Sequence, residues 1–212
     1  MRAKFEAVKL PAGLVTGLFS IVVAGWILPI SALAFEGQTS TTWQVYFSPD
    51  GGCTQAITDA IKAAQLQILV QAYEMTSPQI KSALLWAHRR GVEVQAIFDP
   101  EAFKESNSLA SDLSEGGVPV FVDSYHRPGL AHNKVMVIDR AVVITGSFNF
   151  TKAAESRNAE NLLVIRDPAL AAAYQRNFAA HMAHSSPLGA ADIPPPRSYH
   201  RRYHRHSYFF SP

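Results

Sequence analysis

Runs of alternating and helically spaced apolar residues follow one another along the middle of this chain. Trp43 to Phe47 alternates between polar and apolar positions, which is typical of a half-buried strand, and Gln67 to Tyr73 has a continuous apolar centre. Between these two runs, Thr54 to Gln65 has apolar residues at helical spacing, with Thr54 as a fair N-cap. The pattern therefore predicts a strand, a helix and a second strand.

The same reading extends to residue 182. Ser77 and Pro78 have the preferred cap and first-turn identities for a helix that Gly91 ends. The further predicted strands are Val92–Phe98, Val118–Val122, Lys134–Asp139, Ala141–Thr145 and Asn161–Arg166, and the further predicted helices are Phe103–Glu115 and the segment from Asp167-Pro168 to Met182. Strands that alternate with helices predict an α/β fold, in which a mixed β-sheet is sandwiched between helices.

Composition limits the class of protein. The chain has 212 residues, of which 48% are hydrophobic and 17% are charged, as expected for one globular domain with short additions. The net charge is only +2, so no overall basic field indicates a nucleic-acid binder. The single cysteine, Cys53, excludes an intrachain disulfide and a Cys-x-x-Cys zinc site.

The first 34 residues have the features of an export signal. Arg2, Lys4 and Lys9 precede an apolar stretch from Leu10 to Ile30, and Ala32-Leu33-Ala34 is a small-x-small cleavage site. We interpret residues 1–34 as a signal peptide, which predicts a periplasmic or secreted mature protein. The alternative is an uncleaved N-terminal helix that anchors the protein in a membrane, since the apolar stretch is long enough to span one.

The last residues differ in composition from the rest. Residues 186–212 contain Pro194-Pro195-Pro196 and then arginines interleaved with tyrosines and histidines. No period supports a helix or strand, so this basic tail is predicted to be disordered. The alternative is a contact with nucleic acid or another anionic surface, because arginine can pair with phosphates while tyrosine stacks on bases. Residues 35–185 remain as the predicted catalytic domain.

Polar side chains of mixed chemistry flank the two central strands. His132 and Lys134 are two residues apart and so face the same side of a strand, and Ser147 and Asn149 have the same separation after a glycine. A turn at Asp139-Arg140 would bring the two pairs together. An imidazole, an ammonium group and two neutral donors suit a tetrahedral phosphate and do not require a metal.

These residues carry a family resemblance. The pattern His132-x-Lys134-x4-Asp139-x6-Gly146-Ser147-x-Asn149 resembles the signature of the phospholipase D superfamily. The segments Phe150–Glu155 and Asn158–Asn161 are similar to its small bacterial endonuclease branch, which has one motif per chain. The likeness extends more loosely from Val45 to His181. It implies a phospholipase D-like α-β-α sandwich, in agreement with the hydrophobic pattern.

The resemblance also implies a mechanism and roles for residues. One motif histidine attacks phosphorus to form a phosphohistidine, and a second protonates the leaving alcohol and then activates water. Since this chain has one motif, the family mechanism implies a homodimer in which His132 is the nucleophile of one subunit and the general acid/base of the other. Lys134, Ser147 and Asn149 would contact phosphate. No cofactor and no metal ligand are implied.

The remaining motif residues receive supporting roles. Glu160 matches the family carboxylate that orients a motif histidine, with Glu155 as its rival. Asp139 is expected to be structural, since an anion would repel a phosphate, and Gly146 is expected to allow close approach of the backbone. Three other histidines are read as ordinary surface or hydrogen-bonded residues: His88, His181 and His184.

Three functions fit this reading. The first is a metal-independent, non-specific endonuclease acting on DNA, with RNA as a further possible substrate, because the predicted contacts are to phosphate and not to base edges. The alternative is a phospholipase D or phosphatidyl transferase acting on membrane phospholipids. The third is a catalytically idle binding protein, which the intact motif disfavours.

Overall fold

A computed structural model describes residues 40–104, 108–124 and 129–189 of the chain. Eight strands form one mixed sheet: β1 (Thr42–Ser48), β2 (Gln67–Ala72), β3 (Glu93–Phe98), β4 (Val120–Asp123), β5 (Lys134–Ile138), β6 (Val142–Gly146), β7 (Glu160–Arg166) and β8 (Ser185–Pro187). Their order across the sheet is β1-β7-β6-β5-β2-β3-β4-β8. The β2-β3 and β3-β4 pairs are parallel, and the other neighbours are antiparallel.

The helices are α1 (Cys53–Ala63), α2 (Pro78–Arg89), α3 (Ala110–Glu115), α4 (Lys152–Ser156) and α5 (Pro168–Met182), with a 3-10 turn at Ala102–Lys104. Two predicted caps are confirmed. The Ser77 side chain accepts a hydrogen bond from the Ile80 amide at the start of α2, and Asp167 accepts from the first amides of α5. Each capped helix also has proline in its first turn, where the missing N–H has no partner to lose.

Two hydrophobic cores lie on opposite faces of the sheet. On one face, α1, α2 and α3 pack against alternate strand residues. Ile57 of α1, Leu84 of α2 and Val70 of β2 belong to this core. On the other face, Phe178 of α5 packs with Val143 and its neighbours. Alternate residues of one strand therefore serve different cores. The predicted α-β-α sandwich is confirmed.

Two details of the predicted α1 and α3 regions are wrong. Helix α1 begins at Cys53 after Gly52, whose φ of 81° is left-handed, so Thr54 lies inside the helix and is not its cap. The helix predicted from Phe103 to Glu115 is reduced to the 3-10 turn and the short α3, with residues 105–107 outside the described part. This polar stretch has too few apolar positions to hold a long helix on the sheet.

Strand β8 has no counterpart in the sequence prediction. It pairs with β4 in antiparallel register, with Ser185 opposite Asp123 and Pro187 opposite Phe121. Three residues of this composition are too short to give an alternating apolar pattern, since the strand is held by backbone pairing and by serine hydrogen bonds such as that of Ser185 Oγ to the His181 carbonyl.

The predicted signal segment and residues 190–212 of the basic tail lie outside the described residues. The signal peptide, its cleavage site at Ala32-Leu33-Ala34 and the membrane-anchor alternative therefore stay predictions. The prediction of a disordered tail is wrong for its first residues, because Ser186 and Pro187 belong to β8. Within the described ranges, no helix combines the length and apolar character needed to cross a membrane.

Candidate active site

Three neighbouring strand ends form the candidate site. Strand β5 begins at Lys134, β6 ends at Gly146 and β7 begins at Glu160. Because β5, β6 and β7 are antiparallel neighbours, these three ends lie at the same edge of the sheet. His132 and Ser147 lie just beyond two of them. The hairpin predicted from the sequence is thus confirmed, and it brings the two pairs of motif residues to one edge.

Lys134 is the buried cation of this edge. Its side chain is only 6% exposed, its Nζ donates a 2.8 Å hydrogen bond to the His132 carbonyl, and it lies 4.7 Å from the Tyr73 ring centre. Burial lowers the pKa of Lys134 to about 8, although the carboxylates of Glu74, Glu160 and Asp99 act in the opposite direction. The ammonium group is therefore poorly hydrated, and a bound anion would stabilise it.

His132 is exposed at this edge of the sheet, and its ring centre lies 4.3 Å from that of Tyr73. Partial desolvation lowers the pKa of His132, the nearby Lys134 charge lowers it further, and Asp99 opposes both. The two larger effects favour a neutral imidazole, which is the form that can act as a nucleophile.

Backbone contacts hold the segment around His132 on both sides. The amide of Ala131 donates a 2.8 Å hydrogen bond to Oδ2 of the fully buried Asp99. The Asn133 carbonyl accepts a 2.8 Å hydrogen bond from the Tyr73 amide. These contacts fix the residues before and after His132 while its imidazole remains accessible to substrate.

The loop after β6 places Ser147 and Asn149. The side chains of Phe148 and Phe150 are fully buried and anchor this loop. The Ser147 Oγ accepts hydrogen bonds from the Asn161 amide and from Asn161 Nδ2, at 3.1 and 3.2 Å. Asn149 Oδ1 is buried and has no hydrogen-bond partner within the described part of the chain. This buried oxygen is therefore held in place without contributing a hydrogen bond to the fold.

Gly146 is required where β6 meets this loop. Its φ is 149°, and a Cβ at this position would lie 2.3 Å from the Asn161 carbonyl oxygen. Any side chain would push β6 and β7 apart at the site, so the predicted role of Gly146 in close backbone approach is confirmed.

The two candidate carboxylates lie in different surroundings. Glu155 Oε2 accepts a 2.7 Å hydrogen bond from the Thr54 amide, so this side chain supports the start of α1. Glu160 begins β7, accepts from Asn158 Nδ2 at 3.2 Å and raises the pKa of Lys134. Among the described residues of one protomer, neither carboxylate is hydrogen-bonded to His132. The geometry favours Glu160 over Glu155 as a component of the site, and its orienting role stays a prediction.

Three further residues of the site escaped the sequence reading: Tyr73, Glu74 and Asp99 follow directly after the parallel strands β2 and β3. Since β2 is paired with β5, with Ala72 opposite Lys134, the carboxyl ends of β2 and β3 reach the edge where β5 starts. Polar residues immediately after two buried parallel strands were the available signal.

Comparisons with known proteins agree with this geometry. Residues 57–182 match the sequence model of the family described as "Cardiolipin synthase, PLD-like domain". A protein of Rickettsia bellii named "Phospholipase D" is 44% identical over 137 residues, which is 65% of this chain and 67% of the relative. The "Mitochondrial cardiolipin hydrolase" of Xenopus laevis is 36% identical over 115 residues, 54% of each chain.

Solved structures have the same fold. The crystal structure of Nuc, a phospholipase D family member from Salmonella typhimurium, matches with a TM-score of 0.66 and 34% identity. The match covers 70% of this chain and 98% of Nuc. NucT from Helicobacter pylori matches with a TM-score of 0.66 over 70% of this chain and all of NucT, but at 21% identity, which supports the fold alone.

Proposed function

The chain belongs to the phospholipase D superfamily of phosphodiester-processing enzymes, and from this premise we propose that it is a metal-independent, non-specific endonuclease that works as a homodimer. The observation that carries the proposal is the meeting of His132, Lys134, Ser147 and Asn149 at one sheet edge, in a chain with a single motif. His132 and Ser147 are both exposed at that edge.

The electrostatics of the edge suit a phosphodiester. The negative charge of the phosphodiester would compensate the poor hydration of the buried Lys134 ammonium and keep that group protonated. The Ser147 hydroxyl already accepts two hydrogen bonds from Asn161, so its own O–H is directed elsewhere and is available for a phosphoryl oxygen. Asn149 would supply a further donor. These groups provide charge stabilisation from the side chains alone.

The proposed reaction has two steps. An imidazole nitrogen of His132 attacks phosphorus, a P–N bond forms, and the P–O bond to the leaving oxygen breaks as His132 of the second subunit donates a proton to it. That second imidazole then removes a proton from water, whose oxygen attacks phosphorus and breaks the P–N bond. Both histidines return to their starting states, so the atoms and protons balance.

An exposed apolar face supports the homodimer. On β1, Trp43, Val45 and Phe47 are 66%, 40% and 62% exposed, and all three point to the α5 side of the sheet. Phe47 pairs with Asn161, so the apolar face continues to the edge of the site. A second copy of the chain is the proposed occupant of this face, since a patch of this kind marks an interaction surface and a two-fold axis would pair two identical sites.

A phospholipase D or phosphatidyl transferase acting on membrane lipids is the second candidate. The relatives named "Phospholipase D" and "Mitochondrial cardiolipin hydrolase" favour it, and the predicted N-terminal anchor would hold the enzyme near such a substrate. The same residues would perform the same chemistry on a lipid phosphodiester. Only the leaving alcohol would differ.

Substrate choice is tested with two assays run side by side. Wild type and His132→Ala are incubated in excess EDTA with plasmid DNA and, separately, with vesicles of cardiolipin or phosphatidylcholine. Plasmid cleavage by the wild type alone supports the nuclease proposal. Release of lipid products without plasmid cleavage overturns it in favour of the lipid enzyme. Equal DNA cleavage by both variants would remove His132 from the mechanism.

The dimer is tested by a matched pair of variants on β1. Val45→Lys introduces a charge on the apolar face, and Gln44→Lys introduces the same charge on the opposite face of the same strand. We expect Val45→Lys to be monomeric in sedimentation analysis and to lose about 100-fold or more of its activity, since each site lacks its second histidine. Gln44→Lys remains dimeric and active. A monomeric yet fully active Val45→Lys enzyme would contradict the homodimeric site.

A further inference from the structure

A second group of ionisable side chains lies further along the same sheet edge, three strands from β5, where helix α5 ends beside β4. Asp123 is the last residue of β4 and is 1% exposed. His181 is in the last turn of α5, and His184 lies between α5 and β8. Both histidines are partly exposed. No sequence pattern predicts that these histidines contact Asp123, because they follow it by 58 and 61 residues.

The geometry of this group is convergent. His181 Nδ1 lies 2.7 Å from Asp123 Oδ2, and His184 Nδ1 lies 2.8 Å from Asp123 Oδ1. The two imidazole rings are 5.3 Å apart at their centres, and one potential ligand atom from each of the three residues lies within 4.8 Å of the others. Two imidazoles therefore point the same nitrogen at the two oxygens of one buried carboxylate.

This donor set is the kind that zinc-type ions select. Imidazole nitrogen and carboxylate oxygen bind Zn²⁺ at about 2.0–2.2 Å, which places tetrahedral ligands roughly 3.4 Å from one another. The observed separations of 2.7 and 2.8 Å need to widen by roughly 0.6 to 0.7 Å around an ion of this kind. The His181 and His184 side chains are 22% and 29% exposed, so neither is enclosed on all sides by the core.

The surroundings leave room for a further ligand. Asp123, His181 and His184 line a cavity of about 410 Å³ together with Leu130, Ala131 and Ala180. One water molecule occupies about 30 Å³ of liquid. Three protein ligands with adjacent open space are typical of a site that completes its coordination with water or a small exogenous ligand.

We propose that Asp123, His181 and His184 form a binding site for a zinc-type divalent transition-metal ion, separate from the phosphodiester site. An imidazole that carries its proton on Nδ1 would move it to Nε2 on binding, so Nδ1 gains a free electron pair for the metal and no proton is lost overall. The bound ion would replace the hydrogen bond of His181 to Asp123 and the close contact of His184 with Asp123 by three coordinate bonds. It would thereby tie the end of α5 and the start of β8 to β4.

The metal-binding experiments need a parent variant that lacks the histidines of the tail, which is called the background protein. The tail histidines, His200, His204 and His206, could bind the same metals, so all three are changed to glutamine in the full-length protein. In this background, His181→Gln/His184→Gln removes both imidazoles while glutamine can still donate a hydrogen bond to Asp123. His88→Gln, on α2, is the matched control for histidine removal elsewhere. Single His184→Gln serves if the double variant does not fold.

Zn²⁺ titration by calorimetry and Co²⁺ absorption spectroscopy are the measurements. The background and the His88→Gln variant are expected to bind one ion per protomer, with the intense visible bands of four- or five-coordinate cobalt. The double variant is expected to bind at least about 100-fold more weakly, since even outer-shell changes weaken metal sites by about 10–100-fold. Equal affinity in all three proteins, or no binding by the background, would overturn the proposal.

Thermal unfolding gives a second, independent readout. Saturating Zn²⁺ is expected to raise the unfolding temperature of the background protein and of His88→Gln, because the ion binds the folded state in preference. No rise is expected for His184→Gln or the double variant. A rise of the same size in every variant would place the ion elsewhere and would overturn the proposal.

Discussion

The two ends of the β5-β6 hairpin use polar side chains in opposite ways. At the turn, the Asp139 carboxylate accepts hydrogen bonds from the amides of three consecutive residues, 65 to 67, at 2.7 to 3.0 Å. At the open end, Lys134 is buried with a lowered pKa, and Asn149 Oδ1 is buried without a partner in the described chain. One end is satisfied by the fold, while the other holds a poorly hydrated cation that a bound anion would stabilise.

This difference separates stability from function within a single motif. Asp139 belongs to the same signature as His132, yet it lies at the opposite end of β5 and makes only structural contacts, as the sequence analysis expected. Polar groups that already have their partners contribute to the folding free energy. Groups that are held in place but lack partners contribute when a substrate supplies them. Mutations at the two ends should therefore affect different measurements.

The largest expected effect is at His132. Changing it to alanine should lower kcat/KM by about 10⁴-fold or more, because the variant has neither nucleophile nor general acid. The unfolding free energy should stay within about 0.5 kcal/mol of wild type, because the imidazole is exposed. Initial cleavage rates and urea unfolding measure the two quantities. A marked loss of stability would make His132 a structural residue and erase the contrast with Asp139.

Lys134 gives the next largest effect. Lys134→Met keeps the size of the side chain but removes its charge, and should lower kcat/KM by about 10³-fold. In the wild type, kcat/KM should fall as pH rises through about 8, because the ammonium group loses its proton there. Lys134→Arg keeps the charge to much higher pH, so its alkaline fall should move upward. If kcat/KM of the arginine variant falls at the same alkaline pH as that of the wild type, the fall is caused by another group.

The sequence predicted the elements whose burial follows a period. The strands from β1 to β7 and helices α1, α2 and α5 each have an apolar pattern that matches one face or both faces of the sheet. The 103–115 segment was predicted as one helix but is broken, and α4 and β8 were not predicted. Short polar elements of this kind are held by side chain–backbone and backbone contacts, such as the Thr151 cap of α4. The Asp99 carboxylate, which accepts from the amides of Glu101 and Ala102, leaves no trace in hydropathy.

The site was predictable where it is local in the sequence. His132, Lys134, Ser147 and Asn149 fall within 18 residues, and one hairpin joins them. Tyr73 and Asp99 could not be placed in this way, because their contacts depend on the pairing of β2 with β5 and of β3 with β2. The preference for Glu160 over Glu155 came from the sequence, and the use of Glu155 by the first turn of α1 agrees with it.

A change at Asn149 tests whether its side-chain amide is held in place to donate to the substrate. Asn149→Ala should lower kcat/KM by about 100-fold, the usual effect of removing one donor to a developing anion. Its unfolding free energy should change by less than about 0.5 kcal/mol, because Oδ1 has no hydrogen bond to lose. Ser147→Ala is the informative control, since its Oγ accepts two hydrogen bonds and its loss should lower stability by about 1 kcal/mol.

Asp139 sharpens the comparison from the opposite end. Asp139→Ala removes the acceptor of three amide hydrogen bonds and puts alanine at a φ of 52°, so the unfolding free energy should fall by about 2–3 kcal/mol. Asp139→Asn keeps one acceptor oxygen and tolerates this backbone conformation, and should lose about half as much. Because the turn is at the far end of β5, kcat/KM per folded molecule should equal that of wild type in both variants. Urea unfolding and active-site titration measure these values. A fall in kcat/KM with unchanged stability would show that the two ends of the hairpin are coupled through β5 and that the division of roles between them does not hold.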